Sequence, residues 1–346
     1  MGQVGNLQRV GNPLAPLETK GRRLPTGAQD DILPHIPPPE AREIRVKKTA
    51  LSLLLAAAII GGFYAFRATR TLNNQQLIQS LPQARATHVF IDVDGLRKSG
   101  LLDLIAGSKS AEDPDYKAFV DQTGLDYRTD LDAVAAAFSE GNTYLALRGR
   151  FKWNKLAAYA QAHSGKCDAL KVCSLPASRS GAFISFLLLR PAVLAMSVST
   201  DEHGVNMIGP QDWRKPPHLP SEPVWISVPS FALSEANLAA GTHAFLEPLS
   251  QAQDVTFAVG AAQKGFQIRL EAVCATPEIA ELLTRRLSAT TDMLKKMLER
   301  DHMTPTPSDI TAVLTSGTFS QQNARVTGTW PLDRAFIESL AGGKVQ

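Results

Sequence analysis

The chain has 346 residues, 44 % of them hydrophobic and 20 % charged, with three cysteines and a formal net charge of +3. Residues 1–48 hold eight Lys/Arg and five Asp/Glu, so the whole excess (8 − 5 = +3) sits there, and residues 67–346 hold 28 of each. The balanced larger part has no global attraction for polyanions, which sets nucleic acid aside as a partner. At 280 residues it is long enough for one large domain or two moderate ones.

Residues 1–48 carry seven of the 22 prolines, including Pro37-Pro38-Pro39, and show no apolar period. They read as a disordered, Pro-rich cytoplasmic tail. Thr49–Phe66, TALSLLLAAAIIGGFYAF, follows with 18 residues and no charge. As a helix it spans roughly 27 Å, close to the roughly 30 Å of a bilayer's hydrocarbon core. A buried core helix would keep a polar stripe, and here only Thr49, Ser52 and Tyr64 are polar. A cleaved signal peptide would need a far shorter leader and no Arg67 at its exit. The segment therefore predicts a single-pass transmembrane helix, with the lipid bilayer as the first partner. Arg42, Arg45, Lys47 and Lys48 precede it, and Arg67 and Arg70 follow, so the tail is expected inside. Residues 67–346 are then periplasmic or extracellular, on a bacterial inner membrane, with 67–80 as a polar helical stalk.

The exported part reads as alternating short strands and helices. Thr87–Val93 is a strand and Leu96–Ala106 a helix. A second helix near Asp115–Thr123 stops at Gly124. Ala133–Phe138 and Thr143–Leu147 are strands joined by the turn signal Glu140-Gly141-Asn142. Asn154–His163 is a helix, and Ala169–Cys173, Ala182–Leu188 and Ala192–Val198 are strands. Gly209–Pro223 contains five prolines and predicts a linker, placed at 210–223, between halves at 81–209 and 224–346.

Beyond it come the strand Val224–Val228, the helix Ser230–Ala240, and a hairpin of Val255–Gly260 and Phe266–Val273. Thr276–Arg300 is a long helix with Thr276 as cap and Pro277 at its first position. Its apolar stripe fits the domain's own core better than a partner's groove. The helix Asp309–Leu314, strands near Thr318 and at Ala324–Thr329, and the helix Leu332–Leu340 close the chain.

Both halves run strand, tight turn, strand, helix. The expected fold is α+β: two related halves of antiparallel sheet, helices packed on one face of each, arising from an internal duplication. Thr123–Phe138, TGLDYRTDLDAVAAAF, with Leu145–Phe151, LALRGRF, resembles a group of uncharacterised bacterial membrane-anchored proteins. That resemblance implies a tail, one membrane helix and a duplicated exported α+β region, and it implies no activity.

Four features bear on chemistry. VFIDVDG, Val89–Gly95, resembles the first motif of haloacid-dehalogenase-type phosphatases, whose two carboxylates serve as nucleophile and acid/base beside Mg²⁺. Asp92 and Asp94 would take those roles in a membrane-tethered hydrolase. Against this, Leu96 replaces the expected Thr, no later acidic pair stands out, and the strand order is not that of a parallel sheet. The plain alternative is a strand end with Asp94 capping a helix. Asp130 and Asp132 form a second carboxylate pair, at a turn where Asp commonly bonds local backbone. Arg148, Arg150, Lys152 and Lys155, interleaved with Phe151 and Trp153, make a candidate patch for an anionic ligand. Cys167 and Cys173 form a candidate disulfide in an oxidising compartment, either could instead pair with Cys274, or all three are buried thiols. His163 before Cys167 lacks further ligands at metal spacing, so no metal and no cofactor are expected. No GxSxG, SxxK, HExxH or Walker pattern occurs. The sequence thus favours a non-enzymatic anchored protein that binds or scaffolds a protein or polymer of the cell envelope.

Overall fold

The computed structural model describes residues 72–106, 113–211, 219–234, 246–262 and 265–341. The expected membrane span and tail lie outside these residues. Among the described residues no helix is long and apolar enough to cross a membrane.

The fold is mixed α+β, built on one large antiparallel sheet. Its strands are β1 Thr87–Ile91, β2 Leu131–Ser139, β3 Asn142–Gly149, β4 Lys166–Cys167, β5 Cys173–Pro176, β6 Phe183–Arg190 and β7 Val193–Ser199. The second half adds β8 Val224–Pro229, β9 Asp254–Ala261, β10 Phe266–Val273, β11 Thr318–Gln322 and β12 Arg325–Leu332. The order across the sheet is β11-β12-β10-β9-β8-β1-β2-β3-β7-β6-β5-β4. Two separate sheets were expected. Instead β8 pairs antiparallel with β1, Phe90 opposite Trp225, and fuses them into one. The order β1-β2-β3-β7-β6 on one side matches β8-β9-β10-β12-β11 on the other.

The α-helices with described bounds are α1 Asn74–Gln79, α2 Val93–Lys98, α3 Leu101–Ala106, α4 Pro114–Thr123, α5 Tyr127–Asp130, α6 Trp153–Ala162, α7 Ser230–Ser234, α8 Pro277–Arg300, α9 Ile310–Thr315 and α10 Arg334–Ala341. Local chemistry sets their ends. Thr276 accepts the Ile279 N–H and Pro277 opens α8. Gly124, at φ 64°, ends α4 in the left-handed conformation. The helix expected over Leu96–Ala106 is two short ones, broken at Gly100 with φ 72°.

Alternation along the strands sends side chains to two faces. On one, Val134, Leu145, Leu147, Phe186 and Leu194 meet Leu156 and Ala160 of α6. In the second half Leu270, Ala272, Val326 and Trp330 meet Ala280, Leu283 and Leu287 of α8. The helices were expected on this face alone. The opposite face of β1, β2, β3 and β7 is covered too. There Ala133, Ala135, Ala137, Ala146 and Ala195, all fully buried, make a flat floor of small side chains. Leu72, Leu77, Ile78 and Leu81 from α1 and its flanks pack on that floor, with Val205 of the 3₁₀ turn Gly204–Met207.

Residues 72–80, expected as the end of a polar stalk, are therefore part of the core. Burial of Leu77, Ile78 and Leu81 removes three side chains from water, each contributing about 1.5–3 kcal/mol. Asn73 and Gln76 form a capping box at the start of α1. The Arg148 guanidinium then donates to the Leu72 carbonyl and to Asn74 Oδ1, both at 2.9 Å. The expected linker also packs in part, with Leu219 against the same core.

Candidate functional site

Among the described residues, the apolar cover on the second face stops at the middle of the sheet. From β8 onward that face carries Ser227, Thr256, Arg269, Glu271, Thr327 and Thr329, by register with their strand neighbours. Hydroxyl pairs Thr318–Thr329 and Ser320–Thr327, each 2.8 Å, run along its margin. This half of the face is polar where the other half is alanine, so it forms a step.

A hollow of about 610 Å³ lies at the step, with Ile78, Arg85, His88, Trp225, Phe231, Glu271 and Arg325 among its walls. A second hollow of about 210 Å³ adjoins it and shares Leu219, Pro220, Thr256 and Glu271. Trp225 is held rigid by stacking on Phe90, centroids 5.7 Å apart. Arg85 lays its guanidinium over the Phe231 ring at 4.5 Å. Glu271 pairs with Arg325, and Glu222 pairs with Arg269 at 2.9 Å. The Arg269 hydrogen bond and charge hold the Glu222 carboxyl below its ordinary range, overcoming the opposing, largest cause, which is burial. His88 sends Nε2 to the Pro82 carbonyl at 3.0 Å, and burial pushes its imidazole pKa below the ordinary value. The site offers aromatic walls, fixed ion pairs and a hydroxyl floor. These are the parts of a surface that holds a ligand of mixed polarity.

The residues singled out from the sequence lie elsewhere. Asp92, not Asp94, caps α2, accepting the Gly95 N–H at 3.0 Å. The reason is length: β1 stops at Ile91, two residues before the expected end, so the helix starts earlier. Asp94 sits in the first turn, paired with Lys98 at 2.6 Å and Arg97 at 3.3 Å, and the Lys98 hydrogen bond lowers its pKa. Asp130 accepts from the Asp126 N–H and pairs with Arg150 at 3.3 Å. Asp132 falls at a register shift in β2.

The four basic residues are not brought together as one patch. Arg148 points to the face that carries α1 and is engaged there. Arg150, Lys152 and Lys155 sit at the corner between β3 and α6, where Lys152 and Lys155 approach Gly124 at the C-terminal end of α4. Negative partial charge at a helix C-terminus favours ammonium groups at that spot. Phe151 and Trp153 turn inward against the α6 core.

Cys167 and Cys173 are joined in a disulfide across the β4–β5 pair, and Cys274 is a buried thiol whose pKa burial raises. The strand expected over Ala169–Cys173 is instead the turn that this disulfide closes, because Asp168 Oδ1 accepts the N–H groups of Leu170 and Val172. Among the described residues no three His, Cys, Asp or Glu side chains assemble as a metal site.

The stepped groove was not visible beforehand. His88, Trp225 and Glu271 are far apart in the chain, and the β1–β8, β8–β9 and β9–β10 pairings bring them together.

No protein-family model matches the chain, and no curated protein does. Among solved structures, crystal form IV of the protein TP0453 is similar at 12 % identity and a TM-score of 0.42, covering 76 % of this chain and 95 % of that one. Crystal form I gives 12 % and 0.40 over 78 % and 98 %, and form III gives 12 % and 0.41 over 79 % and 99 %. Likeness at this level bears on neither fold nor function.

Proposed function

We propose that the chain is a non-enzymatic, single-pass anchored protein of a bacterial inner membrane. Residues 49–66 cross the bilayer, the Pro-rich tail stays in the cytoplasm, and the α+β body lies on the outer side. The body arose by duplication of one α+β unit, a reading supported by the matching strand order of the two halves. It binds a protein or polymer of the cell envelope in the stepped groove. The observation that carries this reading is the groove itself: concave, with Trp225, Phe231 and Arg85 beside an open hydroxyl-lined sheet face.

A photoreactive phenylalanine analogue placed at Ser227 or Thr256 in the full chain tests it in native membranes. Both positions line the groove. A discrete adduct from either, and none from the exposed helical position Glu281, is expected. The same adduct pattern from all three positions, or none from the groove, would reject the reading.

A further inference from the structure

On the anchor reading above, the covalent path out of the membrane limits how far Leu72 can lie from the lipid. Six peptide steps separate Phe66 from Leu72. Fully extended, they reach about 20 Å. The headgroup layer takes up roughly 5–8 Å of that distance. Leu72 is therefore held within about 15 Å of the membrane surface, comparable with a Debye length of about 8–10 Å at physiological salt.

Leu72 is fixed in the fold. Its carbonyl is bonded to Arg148, at the Gly149 end of β3. From there α1 runs to the opposite end, where Ser139 Oγ at the end of β2 donates to the Ala84 carbonyl at 3.0 Å. By register the Gly149 end also carries Arg190, opposite Val193, which neighbours Arg148. The 168–172 turn projects the same way, since Cys173 pairs with Phe186 and the strand continues past it toward Arg190.

That turn displays Leu170, 82 % exposed, with Lys171 beside it. A single exposed Leu is ordinary on a soluble surface. This one cannot fold back, because the disulfide and the two Asp168 hydrogen bonds fix the loop around it. Lys152 and Lys155, both exposed, mark the same end of the sheet at the β3–α6 corner, together with Arg150. Of the carboxylates at this end, Asp130 is paired with Arg150, Asp168 accepts from its own loop and lies 3.7 Å from His203, and Asp121 and Asp132 lie nearby as well.

We propose that this end of the sheet rests on the surface of the bilayer that holds the anchor. Leu170 enters the interface, and Lys171, Lys152 and Lys155 meet anionic lipid headgroups. The body is then a docked platform, with its stepped groove held at a fixed attitude to the membrane. Each Lys or Arg close to an anionic leaflet favours the docked arrangement by about five-fold.

The test uses the full chain reconstituted in vesicles of phosphatidylcholine with phosphatidylglycerol. A fluorescent dansylalanine replaces Leu170 in one sample and Asn142, at the far end of the sheet, in another. Nitroxide-headgroup lipid is the quencher. Quenching several-fold stronger at 170 than at 142 is expected, falling when Lys171→Glu and Lys152→Glu are added. Equal quenching at the two positions in protein that resists carbonate extraction would overturn the docking and leave the anchor standing. Indifference to the charge reversals would overturn the headgroup contact. Protein released by carbonate would overturn the anchor, and the docking with it.

Discussion

Leu77→Ala tests whether α1 belongs to the body. Leu77 has no exposed surface, and it lies in the cluster that includes the fully buried Ala133 and Ala137 with Trp225. The substitution removes three carbons, each contributing about 0.8 kcal/mol of transfer free energy. The floor beneath is sheet backbone and alanine, which cannot move in to fill the space, so a cavity term adds to the loss. The expected cost is about 3–4 kcal/mol, within the range for buried Leu→Ala changes. For a body of this size each kcal/mol moves the melting temperature by about 2–4 °C, so a fall of roughly 6–16 °C is expected. Thermal unfolding of the full chain in detergent, followed by tryptophan fluorescence, reads it, since Trp225 lies in the same cluster. Gln75→Ala on the exposed side of α1 is the control and should change stability by less than about 0.5 kcal/mol. A Leu77→Ala protein as stable as the Gln75→Ala control would mean that α1 is a stalk after all.

Three further substitutions probe other parts of the fold. Gly149→Ala drives a Cβ into the Asp130 carbonyl oxygen, so β3 and the Asp130 backbone must separate. A loss of about 1–3 kcal/mol in urea unfolding is expected. Thr291 in α8 is 2 % exposed, and its hydroxyl has no partner among the described residues. Thr291→Val removes that buried donor without changing shape and should raise the melting temperature, by about 1 kcal/mol in stability. His88 is held neutral by burial, its folded pKa lying below the ordinary 6.5. The unfolded chain therefore takes up the proton first as pH falls, and stability drops from its full value above pH 6.5 toward the lower folded pKa. His88→Gln should flatten urea midpoints across that window, and an unchanged slope would exclude His88 as the cause.

Local signals carried much of the secondary structure. The Glu140–Gly141 pair was legible as a hairpin turn because two left-handed residues match the strand twist, and φ is 50° and 75° there. Thr276-Pro277 announced α8, and the hairpin of Val255–Gly260 with Phe266–Val273 was readable in the sequence, the strands running Asp254–Ala261 and Phe266–Val273. What failed was long-range. The four apolar residues around α1 are spaced among Asn and Gln, so the segment looks polar until Ala133, Ala135 and Ala137 are seen as its floor. The fusion of the two halves rests on β1–β8 pairing between residues more than 130 positions apart, which no local pattern records. The cap fell on Asp92 rather than Asp94 because strand length, not residue type, decided it. The basic run at 148–155 looked continuous in sequence, yet β3 ends at Gly149: Arg148 is bonded to Leu72 and Asn74 on the sheet face, while Arg150, Lys152 and Lys155 follow the chain into the corner before α6.

The proposed anchor places the body on the outer side of the membrane. Epitopes fused before Met1 and after Gln346 test it in intact spheroplasts. Antibody or protease should reach the C-terminal epitope at once and the N-terminal epitope only after the membrane is opened. An N-terminal epitope exposed while the C-terminal one stays protected would contradict the account, as would recovery of both from the soluble fraction.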